Sequence, residues 1–199
     1  MSLELWSTFA SFATFIVIAA TAVAAIVQLR HARSGNQIAA LTELRDAFQS
    51  PECSEAMSFI ETRLPELIKN SKFRYQFGNR PARTEEFHDA INDARLIGNY
   101  FEDMGALIVA GLLDAELTLM IYSSDLTRAW ELLKPLVCIS RRGRGGSAIW
   151  ANFEYATMLA YRWIEAHSDG GYPKGAPRLE VEDEWLEADR AYGAQYSVA

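Results

Sequence analysis

Glu85-x-x-His88 sets a carboxylate and an imidazole one helical turn apart. That is the spacing used by carboxylate-bridged di-metal bundles, which need a second such pair on another helix and two further inward glutamates. No other Glu-x-x-His occurs in the chain, so the metal reading lacks half its ligands. Asp89, Asn92 and Asp93 lie close by, but acidic residues at a helix start are the ordinary response to its dipole. His31 and His167 stand alone, at a helix exit and at a helix end. Ser147 follows two glycines but sits in no Gly-x-Ser-x-Gly elbow. Gly143-Arg144-Gly145-Gly146 has neither the preceding strand of a dinucleotide loop nor the Lys-Ser/Thr of a phosphate loop. Cys53 and Cys138 are far apart and read as free thiols in a reducing compartment. The residue types thus predict no catalytic residue, no metal and no cofactor. An enzyme or ligand sensor remains an alternative if Glu85, His88, Asp89 and Glu154 converge in a cleft.

Residues 69–83, KNSKFRYQFGNRPAR, carry five basic side chains and no acidic one. Lys69, Lys72, Arg74, Arg80 and Arg83 alternate with Phe73, Tyr75 and Phe77. Cations with aromatics suit single-stranded nucleic acid, where phosphates pair and bases stack. They equally suit an anionic leaflet, worth about 1 kcal/mol per basic residue near the surface. The plain reading is a solvated loop whose aromatics help fill the core. The stretch is read as a loop with a short extended piece. Leaflet contact ranks above nucleic acid because the membrane is already close, and an acidic protein, with a formal charge of −7, is a poor general binder of nucleic acid.

The leaflet enters because of the elements that must hold these residues. Leu5 to Leu29 contain no charged side chain, and Arg30, His31 and Arg33 come at once after them. A helix of that length is about 37 Å long, enough to cross a hydrocarbon core of roughly 30 Å. It is apolar on every face, as a membrane span or a fully wrapped core helix would be. A cleaved signal peptide would start basic and be shorter, whereas Glu4 is the one charged side chain before this run. Arg30 and Arg33 at the exit, with no Lys or Arg before the run, predict an outside N-terminus and a cytoplasmic remainder. Trp6 suits the outer interface. Ala20 and Ala24, like Thr21 and Ala25, are small residues one turn apart, so that two spans can approach closely.

Beyond the span, Ile38, Leu41, Leu44 and Phe48 continue an apolar stripe that ends at Ser50-Pro51. A second helix carries Met57, Ile60, Leu64 and Leu67. Thr84 is the predicted cap of a helix that continues through Phe87, Ile91, Ala94 and Met104 to about Ala110, with Gly111 as its C′ residue. Asp114 caps a short helix to about Tyr122, and Asp125 caps another in which Pro135 makes a kink. Residues 141–147 read as a loop, and Ser147 as the cap of a last strong helix bearing Trp150, Phe153, Thr157, Tyr161 and Ile164. From Ser168 onward seven acidic residues meet three basic ones, in a linker and a weakly apolar tail held by Val181, Trp185 and Leu186.

Taken in order, the uncharged span, the basic exit, Ser50-Pro51-Glu52, Gly111-Leu112-Leu113-Asp114, Trp130 with Leu133-x-Pro135, and Trp150-x-x-Phe153-Glu154 form a pattern. It resembles a family of uncharacterised bacterial single-pass membrane proteins with a helical cytoplasmic domain of unknown function. The resemblance covers about residues 5–166 and implies topology, with no activity or site residues to carry over.

The expected fold is all-α, a transmembrane helix continuing into a cytoplasmic bundle of five or six helices. Its parts are an anchor (1–29), a helical domain (30–167) and a linker with an acidic tail (168–199). The expected role is a non-enzymatic interaction or scaffold protein on the inner (plasma) membrane. Its partners are the bilayer, a further copy of itself and an unidentified protein. A membrane-perturbing or signalling effector activated by clustering is the alternative.

Overall fold

The computed structural model describes residues 3–144, 146–180 and 182–196, and these contain eight α-helices and no strand. They are α1 (Leu3–Phe48), α2 (Pro51–Thr62), α3 (Leu64–Leu67), α4 (Ser71–Gly78), α5 (His88–Val109), α6 (Ala115–Arg144), α7 (Ala151–Ala166) and α8 (Leu186–Tyr196). Two compact units result, one ending at Ser168 and one starting at Asp169. The protein is all-α, a long apolar N-terminal helix leading into a helical bundle.

The first helix runs 46 residues without a break, about 69 Å of helix. Its stretch from Phe12 onward is long and apolar enough to cross a membrane, and none of its most apolar window is buried by the rest of the protein. A core helix of a soluble domain would be wrapped; this one is not. Only its C-terminal turns meet the bundle. Leu44 is buried, Leu41 and Phe48 are partly buried, and Ile38, the first residue of the predicted stripe, stays exposed.

Ser50 ends the long helix and starts the next, its hydroxyl accepting from the Cys53 amide at 3.2 Å while Pro51 fills the first turn. The α2 face of Cys53, Ala56 and Ile60 packs on α5, whose Ile91, Ala94, Ile97, Phe101, Met104 and Ile108 recur at helical spacing. α5 ends in a Schellman motif: Leu112 donates to the Leu107 carbonyl at 3.0 Å and Gly111 to that of Ile108 at 3.0 Å. The motif needs a left-handed residue, and Gly111 supplies it at φ 67°.

Asp114 caps α6, its carboxylate accepting from the Leu117 amide at 2.9 Å. The two helices expected between Asp114 and Val137 are one. Asp125 lies inside α6, where burial raises its carboxyl pKa, and the helix continues past Pro135 to Arg144. Leu119, Tyr122, Leu126, Leu133 and Leu136 keep one buried face along it, so tertiary packing overrides the local cap signal. The expected loop at 141–147 is therefore partly helix; Gly145 lies outside the described residues.

The cap of the last bundle helix lies three residues later than predicted. Ser147 lies in the preceding turn, and Trp150 holds the N-cap position at φ 53°, ψ 40°. A bulky residue in left-handed geometry is an outlier that its surroundings must enforce. The inward face of α7 is Phe153, Ala156, Thr157, Ala160 and Trp163, with Tyr161 and Ile164 turned outward.

Rings fill the centre. Phe48 stacks on Tyr100 at 5.1 Å and meets Tyr122 edge-on; Phe101 stacks on Phe153 at 5.2 Å, and Trp130 meets Phe153 edge-on at 5.1 Å. Tyr100 Oη donates to the Leu44 carbonyl at 3.0 Å, and burial drives its pKa far above the usual phenol range.

The second unit is held locally. Tyr172 Oη donates to the Pro177 carbonyl at 2.9 Å, Arg178 donates to the Asp169 carbonyl at 2.9 Å, and the Arg178 guanidinium lies over the Tyr172 ring. Trp185 is exposed and Leu186 starts α8, while Val181 lies outside the described residues.

Candidate interaction surfaces

The middle of the basic aromatic stretch is a helix, α4, and a 3-10 turn follows at Arg80–Ala82; no extended piece forms there. Asn70 caps α4, its side-chain oxygen accepting from the Lys72 amide at 2.9 Å, and Phe73 and Phe77 one turn apart are fully buried. The alternation of aromatics, which suggests an extended piece, conceals an i, i+4 pair. Phe73 meets the Phe87 ring edge-on at 5.5 Å. Two of the three aromatics thus belong to the core and cannot stack on a base.

Lys69, Lys72 and Arg74 are engaged close to home. Lys69 pairs with Glu66 at 2.6 Å and Lys72 with Glu86, both in solvent. Arg74 Nη1 donates to the carbonyls of Ile68 (2.6 Å) and Lys69 (2.8 Å), satisfying the end of α3. Arg83 is partly buried, and the side chain of Arg80 lies outside the described residues. Tyr75 is exposed and accepts from Asn79 Nδ2 at 3.1 Å. Arg74, Tyr75 and Asn79 line a shallow hollow with Ile139 and Arg142 near the C-terminal end of α6.

An acid-rimmed groove of about 740 Å³ lies between α2, α3 and the start of α5. Phe59, Leu67, Phe87 and Ala90 contribute apolar wall; Glu66, Glu86, Asp89, Asp93 and Arg63 contribute charge. Partial burial raises the Asp93 pKa, and the neighbouring Asp89 and Glu55 carboxylates raise it further. By sequence alone Asp89 and Asp93 read as helix-start residues only. The groove depends on α2 and α5 meeting, which no local pattern reveals.

The residues of the enzyme alternative do not gather there. Glu85 lies in a 3-10 turn and His88 opens α5, whereas Glu154 on α7 is bound by Arg141 at 2.6 Å. Asp89 lines the groove and Glu154 does not. Among the described residues no three His, Cys, Asp or Glu side chains form a metal-binding group.

Between α5 and α7 runs a polar seam that the sequence does not disclose. Glu102 accepts from the Phe153 amide at 2.9 Å and from Asn152 Nδ2 at 2.8 Å, so a carboxylate on one helix caps another. Trp150 Nε1 donates to Asn99 Oδ1 at 3.0 Å, with its ring against Gly98. A Cβ on Gly105 would lie 2.2 Å from the Asn152 carbonyl oxygen. These contacts enforce the left-handed Trp150. They also explain the Trp150-x-x-Phe153 pattern as a docking device.

At the other end, Trp6, Arg30 and Arg33 are exposed on α1. The Arg33 guanidinium reaches within 3.7 Å of where a Cβ on Gly111 would stand. Ser34, Ile38 and Leu41 share a hollow with Leu113, Leu117 and Thr118. The turn between α5 and α6 is therefore seated beside the first turns of α1 after the apolar run.

The chain matches the family described as Domain of unknown function (DUF4760) over residues 15–163, and it belongs to that family. The match takes in much of the apolar run and the bundle as far as Trp163, and stops short of the second unit. No curated protein and no solved structure matches the chain.

Proposed function

We propose that the protein is a membrane-anchored, non-enzymatic interaction or scaffold protein, with α1 as the anchor and the bundle held at the cytoplasmic face of the plasma membrane. The observation that carries this reading is the unbroken passage of α1 from an unwrapped, uncharged stretch into the core at Leu44 and Phe48. Arg30 and Arg33 sit at the junction and favour the cytoplasmic side for the bundle. Tethering confines copies to two dimensions and raises their effective concentration, which favours self-association and capture of a partner. The acid-rimmed groove and the exposed face of α4 are the surfaces offered to that partner.

In-cell crosslinking and pull-down of the full chain, against a version lacking residues 1–29, tests the reading. The full chain is expected in the membrane pellet, releasable only by detergent, with crosslinked species that the shortened chain loses. Protease added to spheroplasts should leave the bundle intact. A full chain that stays in the high-speed supernatant, or a bundle cut from outside, overturns the reading.

A further inference from the structure

We propose that the α5–α6 corner is a second membrane contact, inserting Val109 and Leu112 into the headgroup layer of the leaflet that α1 leaves. The proposal rests on the reading of α1 as a membrane span and adds to it the orientation of the bundle. Contacts along α1 fix that orientation. Arg33 lies by Gly111, Ile38 and Leu41 by Leu117, Leu44 by Tyr100, and Phe48 by Tyr100 and Tyr122. α5 therefore runs back toward the membrane beside α1, and the first turns of α6 run away from it.

Leu29 and Arg33 are separated by about 6 Å of helix. The headgroup layer on each side is about 5–8 Å thick. The corner beside Arg33 thus stands at headgroup depth, with no rearrangement needed. The residues at its tip are not those of a solvated turn: Val109 is 60% exposed and Leu112 56%. The neighbouring acids are exposed, but each holds a protein donor, Asp114 the Leu117 amide and Glu116 Trp163 Nε1. Apolar side chains beside Arg33 form the pairing that interfacial elements use, apolar tips in the acyl boundary and cations among the phosphates. The basic helix α4 lies elsewhere. Its Gly78 packs near Ile139, about 30 Å further along α6 than Thr118. The corner, and not α4, is the part of the bundle that meets lipid.

Single-cysteine variants of the full chain test this, made in a Cys138→Ser background that leaves only buried Cys53. Leu112→Cys, Tyr75→Cys and Phe15→Cys are labelled with an environment-sensitive fluorophore and reconstituted into phosphatidylcholine–phosphatidylglycerol vesicles. Quenching by a nitroxide placed near the lipid headgroup is then compared with quenching by one placed in the acyl chain. The label at Leu112 is expected to be blue-shifted and quenched severalfold more by the headgroup nitroxide than the label at Tyr75. The label at Phe15 should be quenched by the acyl nitroxide. If Phe15 is quenched and Leu112 is not, the span stands and the corner contact is overturned, even if a blue shift shows protein covering Leu112. Quenching at Tyr75 with none at Leu112 overturns it in favour of α4. An unquenched Phe15 removes the span itself and the corner contact with it.

Discussion

Replacing Gly98 with alanine tests the α5–α7 seam most sharply, because helix propensity and packing predict opposite signs. In an open helix the change stabilises by about 1 kcal/mol. Here the new Cβ would stand 2.2 Å from Cζ2 of Trp150 and 2.5 Å from Cε2. The ring has little room to yield. It is 6% exposed, its Nε1 is tied to Asn99 at 3.0 Å, and its backbone is already left-handed. Overpacking of this kind costs about 1–3 kcal/mol, and a displaced indole forfeits a hydrogen bond worth about 1 kcal/mol. After the propensity gain the net is a loss of about 2 kcal/mol, or a fall in Tm of about 4–8 °C for a chain of this size. The assay is thermal unfolding of the full chain in mild detergent, monitored by circular dichroism. Gly35→Ala is the control, because nothing lies within 4 Å of its Cβ and the residue is helical. It should melt at or slightly above the parent. In a Trp150→Leu background the Gly98→Ala penalty should disappear and the propensity gain return, a coupling of about 3 kcal/mol. A Gly98→Ala protein that melts higher than the parent, as Gly35→Ala does, would refute the seam.

Glu102→Ala removes the charged acceptor from the Phe153 amide and Asn152, and should cost about 2 kcal/mol by chemical denaturation; Glu102→Gln, which keeps one acceptor oxygen, should cost less. Tyr100→Phe leaves the ring stack but deletes the bond to the Leu44 carbonyl, a loss of about 1 kcal/mol read in the same assay. Asp93 has its pKa raised in the fold by burial and then by Asp89 and Glu55, so its charge opposes folding once the carboxyl ionises. The protein therefore binds this proton more tightly folded than unfolded. The contribution is favourable at low pH and is lost as pH rises through the folded pKa. Asp93→Asn should raise Tm at neutral pH and leave it unchanged near pH 3, and equal shifts at both would contradict the assignment.

Helix boundaries marked by backbone chemistry were legible in the sequence. Pro51 after Ser50, Gly111 and Asp114 each act where their residue types predict, because proline, glycine and a capping carboxylate work through local geometry alone. Signals without such an obligation were overruled. Asp125 could cap a helix, yet the buried row of Leu119, Tyr122 and Leu126 runs straight through it. Thr84 makes no side-chain cap; its hydroxyl and amide both donate to buried Gln76, at 3.1 and 3.0 Å. In α4 the basic side chains masked a helix whose apolar pair, Phe73 and Phe77, differs from an extended pattern only by what packs on it. Ser147 lost the cap of α7 to Trp150 because the ring has a slot at Gly98 and an acceptor at Asn99, both more than forty residues earlier in the chain.

The interaction surfaces were less legible than the fold for a related reason. Periodicity shows which residues share a helix face, and it cannot show whether that face meets protein, water or lipid. Val109 and Leu112 carry the same apolar signal as Ile108 and Leu113, which are buried beside them. What separates them is the Schellman turn at Gly111, which points two residues inward and leaves two outside. That turn gains its meaning only from α1, whose register places Arg33 at its side. Composition favours the basic stretch as the leaflet contact, since five cations without an acid suit an anionic surface. In the orientation proposed above, position weighs against it: its lysines are paired, Arg74 is bound to carbonyls, and α4 packs by Ile139 toward the far end of α6. For a bundle tethered as proposed, membrane contact depends on distance from the span exit before it depends on charge, because a cation a few Debye lengths from the lipid gains almost nothing from it.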